Sequence, residues 1–259
     1  MRNNFNYWIG KDERAKQARK HTEEMQRVYG ECGIPEAIEN TKVYDTNFSY
    51  RNSVPDKNCV ISVEPLDTVQ AAEKYSTCGT VALLNFASYK DPGGCFINGS
   101  SAQEECLCHA SYLYNVLVTF QDSYYDWNNR HKNKALYMNR ALYSPRIHFR
   151  RGDSNFQCDV ITCAAPNRST AQKYQHVTDA ENTAVLKERI RFVLDIAKDN
   201  NVQTLILGAY GCGVFGQNST EVATIFKEYL ATTHKCFDKV IFAIPKGPNL
   251  TAFEKVFKQ

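Results

Sequence analysis

Five short apolar runs constrain the fold of this chain more than any other feature: Cys59-Val60-Ile61-Ser62-Val63, Val81-Ala82-Leu83-Leu84-Asn85-Phe86, Val160-Ile161-Thr162-Cys163-Ala164, Leu205-Ile206-Leu207-Gly208-Ala209 and Val240-Ile241-Phe242-Ala243-Ile244. They are rich in β-branched and aromatic residues, and several lack polar alternation, the pattern of strands covered on both faces. Segments with helical spacing lie between them: Thr68 to Tyr75, Ser101 to Phe120, Glu181 to Asp199, Ser219 to Thr232 and Thr251 to Lys258, several opening on Ser or Thr near a cap position. This alternation predicts an α/β fold of three layers, α/β/α, with a mixed, largely parallel central sheet. Ligands of such sheets collect beyond the carboxyl ends of the strands. A further helix is predicted from Lys11 to Tyr29, stopped by Gly30 and Gly33; it belongs to a helical N-terminal extension, residues 1–58, packed on a single domain covering 1–259. Residues Ser123 to Asn155, rich in Asn, Arg, Tyr and His, read as an irregular excursion.

Composition narrows the class without naming a partner. With 43% apolar and 23% charged residues the chain matches ordinary globular proteins, and its 259 residues suffice for a full core. It has no apolar run long enough to cross a bilayer, and Met1 to Lys11 lack the apolar centre of a signal peptide, so a cytoplasmic protein is expected, or a nuclear one if the source is eukaryotic. The ten cysteines are scattered through apolar segments, as in a reducing compartment. Cys106, Cys108 and His109 invite a zinc reading, but the chain has no C-x-x-C pair, so neither a metal nor a cofactor is expected. A net charge of +3 is too mild to mark a nucleic-acid binder by bulk attraction.

The apolar run ending at Phe86 leads to the turn Pro92-Gly93-Gly94, and a helix follows from Ser101. Adjacent glycines let backbone N–H groups approach a ligand, and a helix start adds donors suited to an anion. Ser101 and Glu104 also form an S-x-x-E capping box, which alone accounts for Glu104. It does not account for Glu105. Two neighbouring carboxylates disfavour double ionisation, so one stays protonated near neutral pH, and that suits cleavage of a glycosidic bond.

A second glycine segment follows the run ending Leu207-Gly208-Ala209: Tyr210-Gly211-Cys212-Gly213-Val214-Phe215-Gly216, with a helix from Ser219. It contains a literal G-x-G-x-x-G after a strand and before a helix. A nicotinamide site also needs an acidic residue at the end of the next strand, whereas Asp238 precedes that strand, which ends at Pro245-Lys246. Both turns are expected to grip one diphosphate.

On these residues the chain resembles the microbial-type poly(ADP-ribose) glycohydrolases, a branch of the macrodomain fold. The resemblance rests on Asn85-Phe86-Ala87-Ser88, Pro92-Gly93-Gly94-Cys95-Phe96, Asn98-Gly99 and Gln103-Glu104-Glu105. It extends to Arg14-Ala15, Arg140 to Pro145, Asp159 to Asn167 and Gly208 to Phe215, nearly the whole chain. The resemblance implies hydrolysis of ribose-ribose O-glycosidic bonds in poly(ADP-ribose), with no metal required and with ADP-ribosylated proteins as partners. By it, Glu105 protonates the departing ribose hydroxyl and then activates water, while Glu104 holds ribose hydroxyls. Gly93 and Gly94 contact the terminal ribose and phosphate. Gly211, Cys212, Gly213, Val214 and Phe215 wrap the diphosphate, with Phe215 against the terminal ribose, and Asn167 approaches the adenosine end. Asn85, Cys95, Phe96, Asn98, Gln103, Ala209 and Tyr210 complete the implied ligand-binding set.

Two departures stand out. The family's third glycine is Cys95 here, which puts a side chain where a backbone approach is expected, and Gly216-Gln217-Asn218 replaces an Arg-Asn pair. They keep two alternatives open: a module that reads ADP-ribose without turnover, and a hydrolase removing single ADP-ribose units from protein or nucleic acid. The cations Arg130, Lys132, Lys134, Arg140, Arg146, Arg150 and Arg151 are read as a solvated face rather than a polyanion track. His109 is read as a packing residue and Cys212 as a small residue beside phosphate.

Overall fold

The computed structural model describes residues 10–50 and 55–258. The chain runs α1 (Lys11–Tyr29), α2 (Gly33–Asn40), β1 (Lys42–Tyr44), β2 (Val60–Glu64), α3 (Thr68–Tyr75), β3 (Val81–Phe86), α4 (Gln103–His109) and α5 (Leu113–Leu117). A π-helical turn (Gln121–Asp126) leads into α6 (Trp127–Arg130). Then come β4 (Ala141–Arg151), β5 (Ser154–Cys163), α7 (Arg168–Gln175), α8 (Asp179–Asp199), β6 (Thr204–Leu207), α9 (Ser219–Ala231), β7 (Lys239–Ala243) and α10 (Pro248–Phe257).

Seven strands form one sheet in the order β1-β4-β5-β3-β6-β7-β2. The pairs β5/β3, β3/β6, β6/β7 and β7/β2 are parallel, and β1/β4 and β4/β5 are antiparallel. Residues of one strand divide between two cores. Ala82 and Leu84 face a core shared with α8, α9 and α10, while Val81 and Leu83 face one shared with α2, α3, α4 and α5. The absence of polar alternation in β3 follows from this double covering, and truncating Leu83 or Leu84 to Ala would cost roughly 2–5 kcal/mol.

Three parts of the sequence reading need correction. The excursion holds a long antiparallel strand, β4, disguised by Pro145 and Arg146, where the register with β5 shifts between Ser144 and Ile147 and Arg146 has φ 55°. The N-terminal extension is not purely helical: β1 pairs Lys42 with Tyr143 and closes the sheet edge. The helix expected from Ser101 to Phe120 is broken, because Ser111 bridges to Phe149 of β4 and Arg150 N–H donates to Ala110 C=O at 2.7 Å. Gly33 opens α2, whose Ile34 and Ala37 are buried, and α7 was not anticipated.

Helix α1 presses on the loop after β3. Arg14 Nε donates to Gly99 C=O at 2.7 Å, and a Cβ at Gly99, where φ is 79°, would lie 2.1 Å from Lys11 C=O. Among the described residues, no helix is long and apolar enough to cross a membrane.

Candidate active site

The parallel neighbours β5, β3 and β6 bring three strand ends to one edge of the sheet, and the site is built there. Phe86 at the end of β3 lies 5.6 Å from the Tyr210 ring beyond β6, and Tyr210 Oη donates to Cys163 C=O of β5 at 3.0 Å.

After β3 the turn closes with Gly94 N–H donating to Asp91 C=O at 2.9 Å, and Gly93 and Gly94 both have φ 64°. Gly94 is the decisive position. A Cβ there would lie 2.6 Å from Glu105 Oε1 and 3.1 Å from Glu104 Oε2, so both carboxyl groups stand against one glycine. A side chain of any size would displace them, and the positive φ adds strain for any L-residue. At Gly93 a Cβ would meet the Tyr114 ring at 2.8 Å.

Both glutamates start α4, 3% and 6% exposed, and each is fixed by donors. Glu105 accepts Cys95 N–H at Oε1 and Ala102 N–H at Oε2, both at 2.9 Å. Glu104 accepts Ser88 N–H at 2.7 Å and Asn85 Nδ2 at 3.2 Å. The capping interaction is therefore Glu105 on Ala102, one residue beyond the expected Ser101–Glu104 box. Burial pushes the Glu104 carboxyl group up to about 8, with the Glu105 charge a lesser cause.

Behind Glu104 stand further buried polar groups, of which the sequence reading included Asn85 but not the tyrosines. Asn85 is fully buried and donates also to Thr162 Oγ1 at 3.3 Å, and its Oδ1 has no partner among the described residues. The π-helical turn points two consecutive tyrosines inward: Tyr124 and Tyr125 are fully buried, with rings 4.8 Å apart. Burial, with Glu104 among the nearby charges, holds both phenols well above their ordinary value. A π-helical turn at such a place is a common mark of function. Its sequence signal was the doubled Tyr124-Tyr125 in a polar stretch.

Beyond β6, Gly208 fits under Ala243 C=O, where a Cβ would come within 2.9 Å. The Gly211 turn is closed by Cys212 N–H to Ala209 C=O at 3.1 Å, Gly216 N–H to Gly213 C=O at 3.0 Å and Gln217 N–H to Gly211 C=O at 3.0 Å. Those bonds leave the N–H groups of Gly213, Val214 and Phe215 outside the turn's own bonding. Val214 is 87% exposed, and Phe215 is half-buried 6.2 Å from the Tyr137 ring, which stacks on Tyr89 at 4.3 Å. Asn167 caps α7 through Thr170 N–H at 3.0 Å, beside Ser169, whose N–H donates to Phe215 C=O at 3.1 Å. Burial raises the Cys212 thiol to about 12, which removes it as a nucleophile.

Some implied ligand residues are occupied otherwise. Phe96 is fully buried against His109, with rings 4.5 Å apart, and burial lowers His109 to about 4. The Gln103 amide braces β3, accepting Phe86 N–H at 2.8 Å and donating to Leu84 C=O at 2.8 Å. The Tyr210 side chain is buried, while Asn98 and Cys95 are exposed. Two hollows elsewhere, against α8 and α9 and between α2 and β4, contain neither glutamate. Lys134, Arg146, Arg150 and Arg151 pair with Glu181, Glu36, Glu24 and Glu73, as a solvated face does.

Comparison with known proteins gives this arrangement a family. The model of the microbial-type PARG catalytic domain matches residues 13–152, more than half of the chain. The chain belongs to the microbial-type PARG family. It is 28% identical to the poly(ADP-ribose) glycohydrolase of Thermomonospora curvata, with TM-score 0.86, covering 95% of this chain and 100% of that one. The same bacterium's enzyme bound to the inhibitor ADP-HPD gives 28% identity, TM-score 0.81 and coverage of 94% and 99%. The Deinococcus radiodurans enzyme in complex with ADP-ribose is 30% identical, TM-score 0.79, covering 87% of this chain and 97% of that one. No curated protein sequence matches the chain.

Both departures from the PARG pattern have a local explanation. Cys95 has φ −104°, comfortable for an L-residue; its side chain is exposed and its N–H still reaches Glu105. Gln217 is buried, exchanges two 2.9 Å hydrogen bonds with the Asn182 amide and donates to Pro166 C=O at 2.8 Å. Gly216 has φ 69°, and a Cβ there would lie 2.1 Å from Ser169 Oγ.

Proposed function

We propose that this PARG-family glycoside hydrolase cleaves ribose-ribose O-glycosidic bonds of poly(ADP-ribose), releasing ADP-ribose by general acid-base catalysis from Glu105. The observation that carries the reading is the approach of both carboxyl groups to the Cβ-less Gly94. A sugar held over that glycine would have Glu105 on its glycosidic oxygen and Glu104 on its hydroxyls. Glu105 delivers a proton to the departing ribose oxygen; as a carboxylate it then takes one from the water that attacks the anomeric carbon. Glu104, raised to about 8, keeps its proton at neutral pH, so an O–H remains for a ribose oxygen. The N–H groups of Gly213, Val214 and Phe215, which lie outside the turn's own bonds, grip the diphosphate, as glycine turns at strand ends do. ADP-ribosylated proteins are the natural carriers of the substrate.

Incubation with labelled poly(ADP-ribose) tests this. Wild type releases ADP-ribose, and Glu105→Gln loses about 10²- to 10⁴-fold in rate while binding ADP-ribose normally. Full activity of Glu105→Gln rejects the assignment of the acid. Binding by wild type without release turns the protein into a reader.

A further inference from the structure

Arg189 lies in the middle of α8, 1% exposed, and its guanidinium meets only neutral acceptors. Nε donates to Asn139 Oδ1 at 2.7 Å, one terminal nitrogen to Ala164 C=O, and the other to Tyr137 C=O at 3.2 Å and Leu136 C=O at 3.5 Å. Among the described residues, no carboxylate lies within ion-pair distance of it. The cations nearby behave otherwise: Lys134, Arg168 and Lys187 pair with Glu181, Asp179 and Glu228. A buried guanidinium keeps its proton, and with only neutral acceptors around it this charge stays available to an anion that arrives with the ligand.

Its surroundings say where that anion would sit. Ala164, which it holds, opens the segment behind the second glycine turn; a Cβ on Gly211 would lie 2.9 Å from the Ala165 methyl. Tyr137, whose carbonyl it also holds, neighbours Phe215. The turn itself carries no cation, and its Gln217 pairs with Asn182, two helical turns before Arg189 on α8. Burial pushes the Cys163 thiol and the Tyr210 phenol up, and the Arg189 charge opposes it in both, so its field reaches this strand end.

We propose that Arg189 is a positioning residue supplying the fixed positive charge behind the diphosphate end of the site, in place of a cation in the turn itself. This rests on the reading of Gly211 to Phe215 as the diphosphate grip. The test compares ADP-ribose, by calorimetry, with uncharged adenosine at millimolar concentration, by NMR titration, on wild type, Arg189→Met and Arg189→Lys. Arg189→Met should weaken ADP-ribose about thirtyfold and adenosine less than about threefold, whereas Arg189→Lys, which keeps a cation but not the fork to Asn139 and the carbonyls, should lose less than Arg189→Met. Undiminished ADP-ribose binding by Arg189→Met overturns the proposal, as does equal weakening of both ligands. If the methionine variant does not fold, a folded Arg189→Lys decides alone, and a thirtyfold loss in it rejects the role of charge. A wild type that binds no ADP-ribose sinks the reading of the turn, and this role with it.

Discussion

Gly94 and Gly211 both follow a parallel strand, both have positive φ, and both were read from sequence as backbone that touches ligand. What stands behind them differs. The space a Cβ would take at Gly94 belongs to the carboxyl groups of Glu104 and Glu105; at Gly211 it belongs to the Ala165 methyl and the Gln217 chain, at 2.9 Å each. The first turn is fitted to chemistry and the second to packing, so the same glycine-to-alanine change should disturb different quantities. At Gly94 the added methyl should move the carboxyl groups and lower the turnover rate by about a hundredfold, since misplacing reacting groups by about 1 Å has that cost. Thermal melting and ADP-ribose titration of Gly94→Ala should show a folded protein that still binds. A variant that loses binding instead, with its residual rate normal, would erase the distinction between the turns.

Glu104 sharpens the same comparison, because no group in the second turn has an equivalent raised affinity for protons below neutral pH. Folded, it holds its proton up to about 8; unfolded, it releases it near the ordinary 4.5. Between those values the folded chain binds more protons, so the contribution of this group to stability is full below about 4.5, falls as pH rises and levels off above about 8. Glu104→Gln removes the dependence. Denaturation at several pH values should show the variant gaining on wild type by about 3 kcal/mol between pH 5 and pH 8. A gap that stays flat with pH would mean that the carboxyl group is ionised in the folded protein.

The matched change in the second turn is Gly211→Ala. It should weaken ADP-ribose about tenfold and cost about 1–2 kcal/mol of stability through the left-handed backbone, leaving the rate at saturating substrate within about threefold. Calorimetry and saturation kinetics on one preparation would separate these effects. A fall in saturated rate as large as that of Gly94→Ala would show that the second turn also positions the reacting groups.

The contrast also explains what could be read from the chain in advance. Strands β3, β6, β7 and the end of β5 were legible because burial on both faces leaves continuous apolar runs, the edge strand β2 through its β-branched residues, and Glu104 and Glu105 because a second carboxylate at a helix start has no local use. Strand β4 was hidden because it is defined by partners: Tyr143 pairs with Ile161 and Lys42, while Pro145-Arg146 interrupts the local pattern. The break in the helix after Glu105 had the same origin, since Ser111 leaves the helix to bridge to Phe149. The raised Glu104 carboxyl group was hidden for a related reason. Adjacency in sequence says that one of the two should hold a proton, but the burial that raises Glu104 comes with Asn85 and two tyrosines from a π-helical turn 20 residues away. Arg189 offered no signal at all, since a single arginine in a long helix looks solvated until the strand end it holds is known.

The smallest effect concerns Cys95, where the expectation drawn from the resemblance and the geometry disagree about the first turn. The resemblance leads one to expect a glycine there, yet this backbone has φ −104°, the side chain is exposed, and the interaction that matters is made by the N–H to Glu105 at 2.9 Å. Nothing in that contact depends on the absence of a Cβ, unlike at Gly94. Cys95→Gly should therefore change turnover of poly(ADP-ribose) by less than about threefold and lower stability by about 0.5–1 kcal/mol, from the freedom a glycine adds to the unfolded chain. A rate gain above tenfold in that variant would mean that the sulfur stands in the path of the substrate, and that the first turn is shaped by its third position as well as by Gly94.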